Sequence, residues 1–356
     1  MALRRDVKRV IIVLTVICIL FFSGVVFVRP AIKFFVTKKL ENIFVRGKVS
    51  IGKCVFHPAG EIRLEDIRIV RKDIYSIKLK ELIVQYNPLS ILKTSPSKLL
   101  LNNPDVNITI PKKGSLKPEE YLNIGGGPNI FEYVCVSALN LKANIFGMPA
   151  VKLEKGFLLQ NFNSGQVNFI LAKVNYDKLN ITDIKGKAKL QSTGFAVCDF
   201  SGNLLGGSIQ ADLKVQAQGQ VSYLLNLKCA QLDIEKFVRD FNLREKFEMT
   251  GRISGELRLK AKGARIEDLT GNFSTLSPGG RLVITDTKFL EGMAGRTGQP
   301  VDLLVESFKN YQYNNGLVSL GLEDGSVILN ADLEGEAGRR NISVVLHDFK
   351  IGGQGQ

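Results

Sequence analysis

From residue 206 to 218 the chain reads GGSIQADLKVQAQ. Within it Ile209, Ala211, Leu213 and Val215 alternate with Gln210, Asp212, Lys214 and Gln216. A repeat of two sends successive side chains to opposite faces of a strand, so this segment has one dry face and one wet face. The pattern recurs from residue 48 onward in EIRLEDIRIV (61–70), SIKLKELIVQY (76–86), PDVNITIP (104–111) and MTGRISGELRLKAKG (249–263). Turn residues separate the runs: Gly147, Gly156, Ser164-Gly165, Gly186, Gly202 and Gly206-Gly207, the chemistry of tight connections between antiparallel strands. A chain built this way is a meander of strands, and it must dispose of a large dry face. That face either closes into a core or meets apolar material that is not protein.

Local breaks in the pattern are informative. In EIRLEDIRIV the apolar set shifts phase at Glu65-Asp66, which predicts a turn or bulge there. Glu323-Asp324-Gly325, between two alternating runs, predicts a hairpin. LDIEKFVRDFN (232–242) spaces Ile234, Phe237, Val238 and Phe241 as a helix does, with Asp233 as N-cap, and predicts about three helical turns. A short helix is also expected over 286–296, around Phe289 and Met293.

The N-terminus has a different character. Residues 10–28, VIIVLTVICILFFSGVVFV, are 19 residues without a charge between Arg9 and Arg29. As a helix they extend about 28 Å, close to the ~30 Å hydrocarbon thickness of a bilayer. No A-x-A-like cleavage site follows the run, which favours an uncleaved signal anchor over a removed signal peptide. Arg4, Arg5, Lys8 and Arg9 place the N-terminus inside; Arg29, Lys33, Lys38 and Lys39 on the other side nearly balance them. A β-rich body on one anchor is most simply exported, which settles the orientation. Residues 29–45 then carry Ile32, Phe35, Val36, Leu40, Ile43 and Phe44 near one helical face. Such a helix extends the anchor along the membrane surface, plugs the start of the β region or simply connects the two.

The net charge of +14 admits a nucleic acid or an anionic membrane as partner. The cations spread along wet faces and crowd near the anchor, with no basic-and-aromatic platform, so nucleic acid is not expected. Catalytic chemistry is sparse. His57 and His347 are the only histidines and stand apart from other metal-ligand types. Gly125-Gly126-Gly127 lacks the Lys-Ser/Thr of a phosphate loop, and no G-x-S-x-G occurs. No enzyme activity, metal or cofactor is expected. Cys18, Cys54, Cys135, Cys198 and Cys229 form no C-x-x-C; free thiols are expected, and a Cys198–Cys229 pair is the one considered.

Several segments resemble the AsmA-like family (AsmA, TamB and YdbH types). Asn87-Pro88-Leu89-Ser90-Ile91-Leu92 and Asn103-Pro104-Asp105-Val106-Asn107-Ile108 are similar to its N-terminal part. Leu205-Gly206-Gly207-Ser208-Ile209, the helix after Leu232-Asp233, Thr250-Gly251-Arg252-Ile253-Ser254-Gly255, Leu269-Thr270-Gly271-Asn272 and Gly279-Gly280 are similar to its C-terminal part. The stretch from Phe308 to Tyr313, the EDGSVILNADLEG hairpin and ISVVLHDF resemble the end of YdbH-type proteins.

The resemblance implies a mainly β protein: a single transmembrane helix, then a curved antiparallel sheet forming an elongated apolar groove, with a few short helices. The expected organisation is a cytoplasmic tail (1–9), the anchor (10–28), an amphipathic juxtamembrane helix (29–45), an N-terminal β region (46–111), a linker rich in Lys, Pro and Gly (112–130), a C-terminal β-groove region (131–350) and a tail (351–356). It implies a bacterial inner-membrane protein, mostly periplasmic, that conducts phospholipid acyl chains toward the outer membrane. About 18 to 20 strands at roughly 4.8 Å give on the order of 90 Å of groove, so other envelope proteins or further copies are expected to complete a bridge. The candidate lining residues are Val167, Phe169, Leu190, Ile209, Leu213, Val215, Ile253, Leu257 and Leu259; Arg4, Arg5, Lys8, Arg9 and Arg29 flank the anchor. The alternative is a periplasmic scaffold or assembly factor for outer-membrane proteins, with no lipid cargo.

Overall fold

The structure is a computed structural model. It describes residues 29–38, 40–41, 44, 47–57, 59–72, 74–87, 97–110, 131–145, 149–161, 164–190, 195–216, 222–245, 247–262, 265–286, 291 and 300–346. The expected anchor (10–28), the linker (112–130), both tails, Arg4, Arg5, Lys8, Arg9, Cys18 and nearly all of the expected 286–296 helix lie outside the described residues. No described helix is long and apolar enough to cross a membrane.

The protein is mainly β, as the alternation predicts. Sixteen strands hydrogen-bond into one sheet in strict chain order, and three short strands form a second sheet. The chain divides into two compact units, Met1–Leu141 with Leu159–Asn163 and Lys142–Leu158 with Ser164–Gln356.

In the first unit a helix over 29–38 and 40–41 (α1) precedes β1 (Lys48–His57), β2 (Glu61–Arg71), β3 (Tyr75–Gln85), β4 (Ser97–Ile110) and most of β5 (Phe131–Ile145). Asp66 interrupts β2 with a φ of 54°, and the pairing with β1 lapses there, opposite Gly52, between Ile51↔Ile67 and Lys53↔Glu65 with the register unchanged. This is the break that the phase shift predicts, made by a left-handed residue and without the extra residue of a bulge. It returns Ile67 and Ile69 to the face of Leu64, and the three form a core with Ile51, Tyr75 and Leu79. Val36, Leu40 and Phe44 pack against that core, so one side of α1 acts as a plug. The expected single apolar face is corrected in one respect: Phe35 points outward and is 65% exposed, while Lys33 turns inward and donates from Nζ to the Gly52 carbonyl at 3.1 Å. Phe35 lies one residue, about 100° of helix, from Val36 and cannot share its contacts.

β6 (Val151–Asn161) contributes to both units. The second unit continues with β7 (Gln166–Tyr176), β8 (Leu179–Leu190), β9 (Phe195–Leu204), β10 (Gly207–Gln216), β11 (Ser222–Asp233), β13 (Arg252–Lys262), β14 (Arg265–Thr275), β17 (Asn315–Glu323), β18 (Ser326–Gly335) and β19 (Gly338–Leu346) in its main sheet. The strand order is linear and does not return on itself. Tight turns do the reversing. Asp324 and Gly325 have φ of 48° and 78°, and Leu205 and Gly206 have 49° and 76°. Two consecutive positive values make the type I′ turn whose twist suits a hairpin.

Helix α2 (Ile234–Asp240) starts where predicted, with the Lys236 amide donating to Asp233 Oδ1 at 3.2 Å. It is two turns rather than three. Ile234 and Val238 are buried, whereas Phe237 stays 38% exposed and lies against Phe241 with ring centroids 4.6 Å apart. The alternation gave no warning of α3 (Val301–Phe308) or of the second sheet, β12 (Phe247–Met249), β15 (Gly280–Ile284) and β16 (Tyr311–Tyr313). These pieces form the tightest core of the unit, with Leu282, Ile284, Phe308, Tyr311 and Tyr313 against Ala331, Leu333 and Ile342.

Candidate functional site

The registers of the second unit align its apolar positions into rows that cross the strands. One row runs Phe169, Gly186, Phe200, Ala211, Leu227, Leu257, Gly271, Leu320, Leu329, Val344, from β7 to β19. A second begins Val167, Ala188, Cys198, Leu213, Leu225, Leu259, Leu269. A third holds Gly202, Ile209, Cys229, Gly255, Phe273, Val318, Ala331, Ile342. Between them lie polar rows of the opposite face, such as Lys185, Ser201, Gln210, Lys228, Glu256, Asn272, Ser319, Asn330, Ser343. Each strand contributes only alternation; pairing turns ten alternations into one apolar face.

The register accounts for every candidate lining residue. Val167 and Phe169 in β7 oppose Ala188 and Gly186, and Leu190 opposes Ala196. Leu213 and Leu259 meet through Leu225, and Leu257 sits opposite Leu227. Val215 pairs with Tyr223, and Ile253 with Leu232. Ile209 differs from the rest. It is buried in a small cluster with Cys229 and Leu232, among Phe200, Leu204, Ile253 and Phe273. Its side chain supports the face more than it presents itself.

Most large side chains on this face are only partly buried, namely Phe169, Leu213, Leu225, Leu227, Leu257, Leu259, Phe273 and Leu320, whereas Ile209, Leu269 and Ile342 are buried. Strands β7–β11 and β13–β14 pack chiefly on their ladder neighbours. A leucine flanked by strands on both sides but with nothing above it retains accessible area. Small residues, Ala211, Cys229 and Ala261, are buried because their neighbours overtop them. Glycines make room for the rings. A Cβ on Gly186 would collide with Phe169, and one on Gly255 with Phe273.

Phe200, Leu225, Leu227, Phe273 and Leu320 belong to the same rows but were not among the sequence candidates. Their alternation was visible, and the register that joins them to Leu257 was not.

The face carries no charge in its rows, and its thiols are held in the neutral form. Burial raises Cys229, and raises Cys198 with help from the neighbouring Asp199. A thiol so held is a poor nucleophile and metal ligand. The considered Cys198–Cys229 pair does not form, and both are free. They lie on β9 and β11 with β10 between, about 9.5 Å apart in the ladder direction alone, beyond disulfide reach. On the wet face, Lys228–Glu256 at 3.1 Å and Lys260–Glu267 at 3.0 Å are exposed ion pairs that add little stability. Asp199 and Asp212 oppose one another there, and their shared hydrogen bond and mutual repulsion raise Asp199 above the usual carboxylate range. Among the described residues no group of three His, Cys, Asp or Glu side chains could hold a metal ion.

What this arrangement can do chemically is solvate an apolar chain. Comparison with protein-family models and with curated proteins gives no match.

Proposed function

We propose that the chain is a non-enzymatic envelope protein, anchored in a bacterial inner membrane by residues 10–28, whose second unit shields phospholipid acyl chains along an apolar β-groove and conducts them between membranes. One observation carries this reading: the uncharged face whose rows cross β7 to β19 while most of its large side chains between β7 and β14 keep accessible area. An acyl chain laid on such a face escapes water at roughly 0.8 kcal/mol per methylene. Successive rows repeat the same surface, so the chain can slide between them with little change in burial. No step needs a nucleophile, a base or a metal. The motif resemblance to AsmA-like proteins, and the uncharged run at 10–28, point the same way.

Site-specific photo-crosslinking in cells tests it. Probes at Leu213 and Leu257 are expected to capture phospholipid, and probes at Lys214 and Arg258, on the opposite face, are expected not to. Protein adducts at the two leucines would instead support a scaffold for outer-membrane assembly. No adduct at either would mean a covered face, and lipid conduction would be abandoned.

A further inference from the structure

Helix α1 has two apolar stripes, and the core of the first unit uses one. On the inner side Val36 and Leu40 pack on that core with Phe44, Lys33 reaches the Gly52 carbonyl, and Thr37 donates to the Lys33 carbonyl at 2.7 Å. On the outer side Ala31, Phe34, Phe35 and Lys38 fall at i, i+3, i+4 and i+7, one continuous face. Phe34 and Phe35 are 67% and 65% exposed. The other large exposed apolar side chains, such as Val70, Phe157 and Ile170, stand singly in the sequence. Two adjacent phenylalanines held out by a helix whose other side is fixed call for an apolar partner.

Charge and chain connectivity identify that partner. Arg29 and Lys38, both exposed, bracket the two rings; Lys38 is in an ion pair with Glu41 at 3.0 Å, of the weak solvent-exposed kind that an anionic headgroup can displace. Phe34 follows the uncharged run 10–28 by six residues, about 9 Å of helix, so a membrane-spanning run leaves the rings beside the headgroup layer. Pro30 lacks the N–H that would continue a helix ladder, which permits a bend at the surface. We infer that the outer face of α1 seats the first unit on an anionic lipid bilayer, with Phe34 and Phe35 inserted below the headgroups and Arg29 and Lys38 against phosphate. Rings supply depth and cations supply preference for anionic lipid, as in interfacial helices. The inference rests on the anchor reading and not on lipid conduction by the second unit.

The chain contains no tryptophan, so Phe34→Trp and Phe35→Trp each install a single reporter in the full-length protein. Leu317→Trp, at a 65% exposed position of the second unit, is the control. In vesicles of phosphatidylglycerol and phosphatidylcholine, emission from positions 34 and 35 is expected to be blue-shifted from the control. It should lose most of its intensity when the acyl chains are brominated, and the control should not. Protein that floats with the vesicles but shows control-like, unquenched emission at 34 and 35 would overturn the inference while leaving the anchor standing. Blue-shifted emission without quenching would place the rings against protein and also overturn it. Failure to float would overturn both.

Discussion

The two ends of the second unit's apolar face differ in what lies over them. Toward β18 and β19, the three-stranded sheet and α3 cover the face. Phe308, Tyr311, Tyr313 and Leu333 are there at 2% exposure or less. Across β7 to β14 the same alternation leaves Leu213, Leu227 and Leu257 partly accessible. Sequence pattern and backbone geometry are alike in the two regions; only the covering layer differs. A dry strand face is therefore not by itself a core. At one end it is roofed protein interior, and along the rest accessible leucines of the same chemistry stand beside buried positions such as Ile209 and Leu269.

The largest test of this contrast is at Leu333, which has no exposed area. Leu333→Ala is expected to cost about 2–5 kcal/mol, as a buried cavity does, read from chemical unfolding followed by circular dichroism. Next is Tyr313, whose hydroxyl donates to the Thr250 carbonyl at 2.5 Å and whose burial pushes its pKa up to about 12. Tyr313→Phe leaves that carbonyl unpaired and should cost about 1–3 kcal/mol. The native state holds the phenolic proton more tightly than the unfolded chain, which releases it near about pH 10. Stability contributed here is thus complete below pH 10 and declines as pH rises toward 12. The Phe variant should show a shallower alkaline loss.

A smaller effect is expected at Leu257, where partial exposure limits the loss for Leu257→Ala to about 1 kcal/mol. If it proves as costly as Leu333→Ala, the open region is a core and the contrast fails. The smallest effect belongs to the wet side of the open region. Asp199 is raised by Asp212, so the folded state binds its proton more tightly than the unfolded chain. The repulsion is present at neutral pH and is relieved as pH falls through the folded value toward the unfolded one, about 3.9. Asp199→Asn should raise the melting temperature slightly at pH 7 and not below pH 4; an equal gain at both would exclude charge as the cause.

Particular residues show how much of this could be read in advance. Asp324-Gly325 makes its hairpin and Asp233 caps its helix, because both depend on atoms within three or four residues. The phase shift at Glu65-Asp66 foretold the left-handed break at Asp66 for the same reason. By contrast α3 begins after Pro300 without a side-chain cap, and β12, β15 and β16 are three to five residues long, too short to display a period. Of the candidate site, the dry residues were legible strand by strand. Their neighbours across strands, such as Leu227 beside Leu257, were not, since pairing is set by registers summed over many turns.

The sequence by itself determined the fold class, the two faces of each strand, the tight turns and the uncharged run at 10–28. Only the tertiary structure decided that Phe35 leaves the side of Val36, that Ile209 is buried while Leu213 is not, and that Tyr311 and Tyr313 roof one end of the face and nothing described roofs the rest. The physical reason is range. Alternation and turn preference are fixed by neighbours along the chain, whereas burial depends on which distant segment arrives to lie above a side chain.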